Sequence, residues 1–400
     1  MRDSKLVPSL VFVALQITLL GCAVAYARLQ LERDRPRPFE ASNVPAKVAP
    51  LRDVPEIVSD EQLRRVLERL QPELRRRKPT LNQVEHALRC WGAGSTFASA
   101  DCLSGTEMRD LIVDAAKFHA FWPDARPLLA AGPRGVIVRT QDGPASATHV
   151  DHTLAMLGEI GTPLDFPLKT MQGPAPLREM LRYSTEGSFS LNQIEYEWSI
   201  LAFALYRVEP GWTTSEGQQI DFDRLAHRAM RQQPGQGVCF GQHRLYDLVM
   251  LLRIDASDAD RHLLSPLVRR EVVDYLGRMT AELIANQHAD GYINGLWGGP
   301  RPAGLGLSIM PPDSLTARWL ATGHSLECWA MAPDELLPPR ETLVRAGQWL
   351  CRTIAEADAR TIADNYTYLT HAGRALALWR GRLPADVSLG ADKPPAAPAK

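Results

Sequence analysis

Cysteine is scarce, six in 400 residues, too few for a disulfide-dense scaffold. Aromatic residues reach only 7%, and neither sign of charge is in excess, with 45 Lys+Arg against 46 Asp+Glu. So even a balance offers no basic footprint for nucleic acid. Glycine, at 28 residues, is far too sparse for collagen. Long apolar runs are missing apart from one, which excludes a polytopic membrane protein. No P-loop, G-x-S-x-G or G-x-G-x-x-G fingerprint occurs, so neither a phosphate cradle nor a nucleophile elbow is expected. What is present is a hydrophobic share of 45%, ordinary for a folded globular chain.

The one long apolar run covers residues 6–27, LVPSLVFVALQITLLGCAVAYA, and carries no charge. At about 1.5 Å per residue such a helix would span a bilayer core, and it exceeds the roughly 7 to 15 apolar residues of a cleavable signal. The expectation is a single N-terminal transmembrane helix, with residues 1–27 as anchor or signal segment, the membrane as partner and the body on the periplasmic side. Ala25-Tyr26-Ala27 has the form of a cleavage site and Leu19-Leu20-Gly21-Cys22 that of a lipobox, so removal or lipidation at Cys22 are the other fates. Arg2 and Lys5 before the run against Arg28, Arg33, Arg35 and Arg37 after it would orient the body the other way. Residues 28–59, with five prolines among charged residues, read as a Pro/Arg-rich linker, and 384–400 as a disordered tail.

Between them, residues 60–383 read as one helical domain. Leu63, Val66, Leu67, Leu70 and Leu74 form an apolar stripe after Asp60-Glu61. Thr80-Leu-Asn-Gln83 has the form of a capping box, and Ser190-Leu-Asn-Gln193 repeats it. Further helices are expected over about 105–120, 151–159, 174–183, 192–207, 221–231, 242–254, 265–287, 313–330, 340–356 and 365–380. The strand signal is Gly135–Thr140, turning at 141–144 toward 145–150 as one small β-hairpin. The fold class is therefore all-α, as helical hairpins that close into an α/α toroid.

Three histidines follow turn residues at apparent helix starts: His243, His324 and His371. On a closed helical barrel the amino ends of the inner helices share one mouth, so these rings would converge, and imidazole is the side chain suited to proton transfer near neutral pH. Glu327 lies one turn on from His324 and could orient it. His324, His371, Glu327 and His243 are thus the candidate catalytic residues, with Arg244 or Arg374 steadying an anionic group. Trp297 and Trp329 could stack a sugar ring or hold an isoprenoid chain, and Asp290 with Glu327 would be the carboxylates of a glycosidase-like pair. A zinc shell drawn from Cys239, His243, Glu327, Cys328 and His371 would need a convergence that no compact motif supplies, so no metal or other cofactor is expected. Cys90 and Cys102 could form a disulfide in an exported body or remain buried thiols.

Gln287-His-Ala-Asp-Gly291-Tyr-Ile293, followed by Trp297, resembles the Q-x-x-x-G-x-W repeat of terpenoid cyclase and protein prenyltransferase-like α/α toroids. Gly323-His324-Ser-Leu-Glu327-Cys-Trp329 resembles the G-H-x-x-E-W-x-W stretch of the N-acylglucosamine 2-epimerase group, an α/α barrel in which a histidine pair does acid/base work. That resemblance implies His324 paired with His371. The stretches from His149 to Leu245 also resemble a group of exported proteins of planctomycete-type bacteria, which implies export without a particular activity. The resulting expectation is a membrane-tethered toroid with a His/Glu cavity that binds or acts on a glycan-like ligand. The alternatives are a non-catalytic envelope scaffold and an isoprenoid or lipid binder.

Overall fold

The structure is a computed structural model, describing residues 6–33, 39–235, 237–299, 310–311 and 313–389. The chain divides into two units, Met1–Pro38 and Phe39–Lys400. The first contains helix α1, Leu6–Arg33. Here the sequence expectation is overturned: among the described residues no helix is long and apolar enough to cross a membrane. Gln16 and Thr18 lie within the apolar run of α1, and Thr18 donates to the Ala14 carbonyl at 2.9 Å. The expected transmembrane anchor, the membrane as partner and the single-pass, periplasm-facing location are therefore withdrawn.

The second unit holds α2 (Asp60–Arg69), α3 (Leu81–Trp91), α4 (Gly105–Val113), α5 (Ala115–Phe121), α6 (His152–Glu159), α7 (Arg178–Arg182) and α8 (Glu197–Leu205). There follow α9 (Phe222–Arg231), α10 (Gln242–Ala256), α11 (Pro266–Ala285), α12 (Leu315–Met331), α13 (Arg340–Glu356), α14 (Ala359–Asp364) and α15 (Tyr366–Trp379). Six of these helices pack in a closed cycle of neighbours, α3 on α6, α6 on α8, α8 on α10, α10 on α12, α12 on α15 and α15 back on α3. Their composition fits that position. All nine residues of α8 are buried, as expected of a helix surrounded by protein. The outer helices are one-sided: α2 buries only Leu63, Val66 and Leu67 and packs on α13 and α15.

Among the described residues, three antiparallel hairpins replace the one expected. β1 (Leu129–Gly132) pairs with β2 (Gly135–Val138), β3 (Pro167–Thr170) with β4 (Gly173–Pro176), and β5 (Trp212–Thr213) with β6 (Gln219–Ile220). The Gly135 strand thus folds back on the residues before it. Gly135 sits at φ +127°, and the Glu179 carbonyl occupies the space its Cβ would need. The two Leu-Asn-Gln motifs also diverge. Thr80 and Gln83 form the reciprocal capping box of α3, whereas at Ser190 only half of it is made: the Ser190 N–H donates to Gln193 Oε1 at 3.2 Å, but Ser190 Oγ accepts from the Asn192 N–H at 3.2 Å and the Gln193 N–H donates to the Ser190 carbonyl at 3.1 Å. With the Ser190 hydroxyl serving Asn192 and the Gln193 N–H closing a turn, no helix opens here and α8 starts only at Glu197.

Residues 39–59 lie along the body instead of forming a free linker. Ser42 and Ala46 donate to the carbonyls of Tyr206 and Leu205, and Val54 donates to that of Trp379. Ile57 and Val58 are fully buried. At the other end, residues 384–386 form a 3-10 turn, and residues 390–400 of the expected tail lie outside the described residues.

Candidate functional site

Each helix of the cycle turns one flat ring inward: His86, His152, Trp198, His243, His324 and His371. Taken in the order of the helices, successive centroids lie 4.8, 4.4, 4.4, 4.9, 3.8 and 5.2 Å apart, the last step closing from His371 to His86. None of the six is more than 6% exposed. Burial first, then neighbouring imidazoles, holds His86 and His243 well below the ordinary histidine range. Burial takes His324 down to about 4. His86, His243, His324 and His371 are therefore neutral at physiological pH, each offering one N–H and one lone pair.

One turn further along the helices lies an ionic layer. Arg89 contacts Glu159 at 2.5 Å and Glu327 at 2.9 Å, and Arg374 contacts Glu159 at 3.3 Å and pairs with Glu327. Tyr246 donates its hydroxyl to Glu159 at 2.7 Å. Burial alone would raise both carboxyl pKa values, but Arg89 and Arg374 outweigh it and hold Glu159 and Glu327 below the ordinary carboxylate range. His86 precedes Arg89, His243 precedes Tyr246, His324 precedes Glu327 and His371 precedes Arg374, each by three residues. A step of three is close to one helical turn, so these four helices run in the same direction through both layers.

The two layers meet at His371. Its Nδ1 lies 2.6 Å from Glu327 Oε2; Arg89 Nη1 also passes at 3.3 Å. With an ionised carboxylate at the shorter distance, the proton belongs on Nδ1. Nε2 then presents a buried lone pair with no hydrogen-bond partner among the described residues. His324 stacks on this ring at 3.8 Å, and its Nε2 lies 3.2 Å from His243 Nε2. Asp247, one turn on from His243, is buried, and desolvation followed by Glu197 and Glu159 pushes its carboxyl well above the usual range.

His243, His324, His371, Glu327 and Arg374 are thus brought together, as the sequence suggested. The other expected residues are elsewhere. Arg244 donates to the carbonyls of Gln232 and Gln233 at 3.2 and 3.0 Å and so fastens a loop. Trp329 donates to Thr280 on α11 at 3.2 Å; Trp297 is a core residue at 1% exposure. Asp290 is exposed on a turn beside His288, so it forms no pair with Glu327. Arg374 is spent on carboxylates and leaves no cation for an anionic group. Cys90 and Cys102 are separate buried thiols. Sequence reasoning missed His86, Arg89, His152, Glu159 and Tyr246, although His86-Ala-Leu-Arg89 and His371-Ala-Gly-Arg374 repeat the two-layer spacing almost residue for residue.

No protein-family profile matches the chain, and neither the curated proteins nor the solved structures contain a significant match.

Proposed function

We propose that the protein works through the centre of its helical cycle, as an acid/base site for a small hydroxyl-bearing ligand of the glycan type. The observation that carries this reading is the Glu327–His371 pair. A carboxylate kept ionised by two arginines fixes the imidazole tautomer, so Nε2 is left as a buried, unpaired acceptor, the arrangement of an oriented general base. A ligand hydroxyl donates to that lone pair; when its proton moves to Nε2, the imidazolium formed faces Glu327, which stabilises it. His243 and His324 are uncharged and share a hydrogen bond between their Nε2 atoms at 3.2 Å, so they add polarity suited to hydroxyl groups and no cation for phosphate. The two tryptophans take no part, since both pack in the core. An isoprenoid chain fits less well because imidazole, carboxyl and guanidinium groups meet at the centre.

Thermal-shift measurements of the full chain against a panel of monosaccharides and polyols test the reading. A protecting ligand should raise the midpoint of the wild type and of Trp329→Phe, and fail to raise that of His371→Ala. Protection that survives His371→Ala would overturn the assignment, as would a panel in which no member protects the wild type.

A further inference from the structure

Cys239, on the turn that leads into α10, stands over the imidazole layer. Its Sγ and the ring nitrogens of His243 and His324 all lie within 4.8 Å of one another. We infer that these three residues form a binding site for one zinc-class divalent cation, held by Cys239 Sγ and by Nε2 of His243 and of His324. Nothing in this inference depends on the hydroxyl-ligand reading.

Three observations on the geometry support it. The two Nε2 atoms are 3.2 Å apart, while zinc–nitrogen bonds of about 2.0–2.1 Å at the tetrahedral angle place two imidazole nitrogens about 3.3 Å apart. The histidines are therefore already spaced as co-ligands. Next, His324 Nδ1 lies 2.8 Å from the Leu320 carbonyl; donation there places the ring proton on Nδ1 and leaves Nε2 as a lone pair, the tautomer and support a ligating histidine requires. Finally, Cys239 and the following Phe240 both adopt left-handed backbone, at φ 48° and 58°. Two consecutive non-glycine residues in that region are costly, and such strain collects where a side chain must be aimed. Here it aims the thiol at the two rings.

The remaining adjustment is small. A zinc–sulfur bond of about 2.3 Å sets sulfur about 3.6 Å from each nitrogen, so from a separation within 4.8 Å the thiol closes on the rings by at most about 1.2 Å. Burial, then Glu197 and Glu195, pushes the free thiol up to about 12, and the cation offsets this by binding the thiolate and releasing the proton to solvent. One thiolate and two imidazoles leave the fourth tetrahedral position open, as in zinc sites that bind water or substrate.

The full chain, stripped with chelator and titrated with Zn(II) or Co(II), gives the test. One ion per chain by equilibrium dialysis is expected, and cobalt should show a thiolate charge-transfer band. Cys239→Ser should abolish that band, and His324→Ala should weaken binding by about 100-fold or more, since even second-shell losses cost about 10–100-fold. Cys351→Ser, in α13, and His371→Ala should keep the band, with circular dichroism confirming that each variant is folded. Absence of binding to the wild type would overturn the site, as would equal binding in Cys239→Ser and His324→Ala. Loss of the band in His371→Ala would overturn the three-residue assignment. Failure of ligand protection with metal binding intact would count against the acid/base reading alone.

Discussion

Glu159 stands between Arg89, Arg374 and Tyr246 with a side chain only 3% exposed. Replacing it by Gln keeps the shape and removes the charge, leaving two buried guanidinium groups to share Glu327. Breaking a buried pair in this way costs about 3–5 kcal/mol, so the urea midpoint of Glu159→Gln should fall well below that of the wild type at neutral pH. The pH dependence follows from the lowered carboxyl pKa. A group whose folded pKa is depressed contributes its stability above the unfolded value, about 4.5 for Glu, and loses it as pH falls through the folded value. The wild type should therefore lose stability as the solution is acidified below that range, and the variant should lose less. Parallel curves for the two chains in urea titrations across this range would show that Glu159 contributes no such linkage.

Among the elements, α12 and α15 make the closest approach that bears on the site. Gly323 allows it: a Cβ there would lie 3.2 Å from Ala372 Cα and Cβ. His324 and His371 follow and precede this contact, and their stacking depends on it. Gly323→Val would force the helices apart and cost about 1–3 kcal/mol of overpacking, more than the gain from removing a helical glycine. Circular dichroism should show a lower thermal midpoint with helicity retained; an unchanged midpoint would mean the contact is slack. Much of this was legible in sequence, because apolar periodicity and caps mark helices; of the three histidines expected at helix starts, however, only His243 is at one, whereas His324 and His371 lie within α12 and α15 and meet because those helices pack side by side. The span of α13, residues 340–356, was read as it stands. What periodicity cannot supply is which helices lie inside. His86 sits in α3, whose capped amphipathic pattern resembles that of an outer helix, and that Cys239 and His243 are joined by His324 rather than by Glu327, Cys328 or His371 follows only once α10 and α12 are neighbours. Nor does a motif fix its own conformation, since at the second Leu-Asn-Gln the Ser190 hydroxyl accepts from Asn192 instead of Gln193, whose N–H closes a turn on the Ser190 carbonyl.

For the second unit as a whole, the decisive contact is the one that closes the cycle, between α3 near its beginning and α15 near its end. α15 is buried from Leu369 through Trp379, and it packs against α2, α3, α12, α13 and α14. Gly373 lets Leu70 approach, and Trp379 donates to the Leu326 carbonyl at 2.9 Å. Without α15, the inward faces of α3 and α12 would both be open to water, and Arg89 and Glu327 would lose Arg374 and His371 together. Both α3 and α12 close the cycle through α15, so the loss is shared around the cycle rather than confined to one end. A chain ending at Asn365 should accordingly retain much of its far-ultraviolet helical signal but show no sharp thermal transition and bind a hydrophobic dye, as a loosely packed helical state does. The intact chain should give coincident unfolding curves by tryptophan fluorescence and circular dichroism, the mark of a cooperative unit. If the shortened chain instead melted sharply near the wild-type midpoint, closure through α15 would not be what organises the centre, and the imidazole layer would have to be held by the five remaining helices alone.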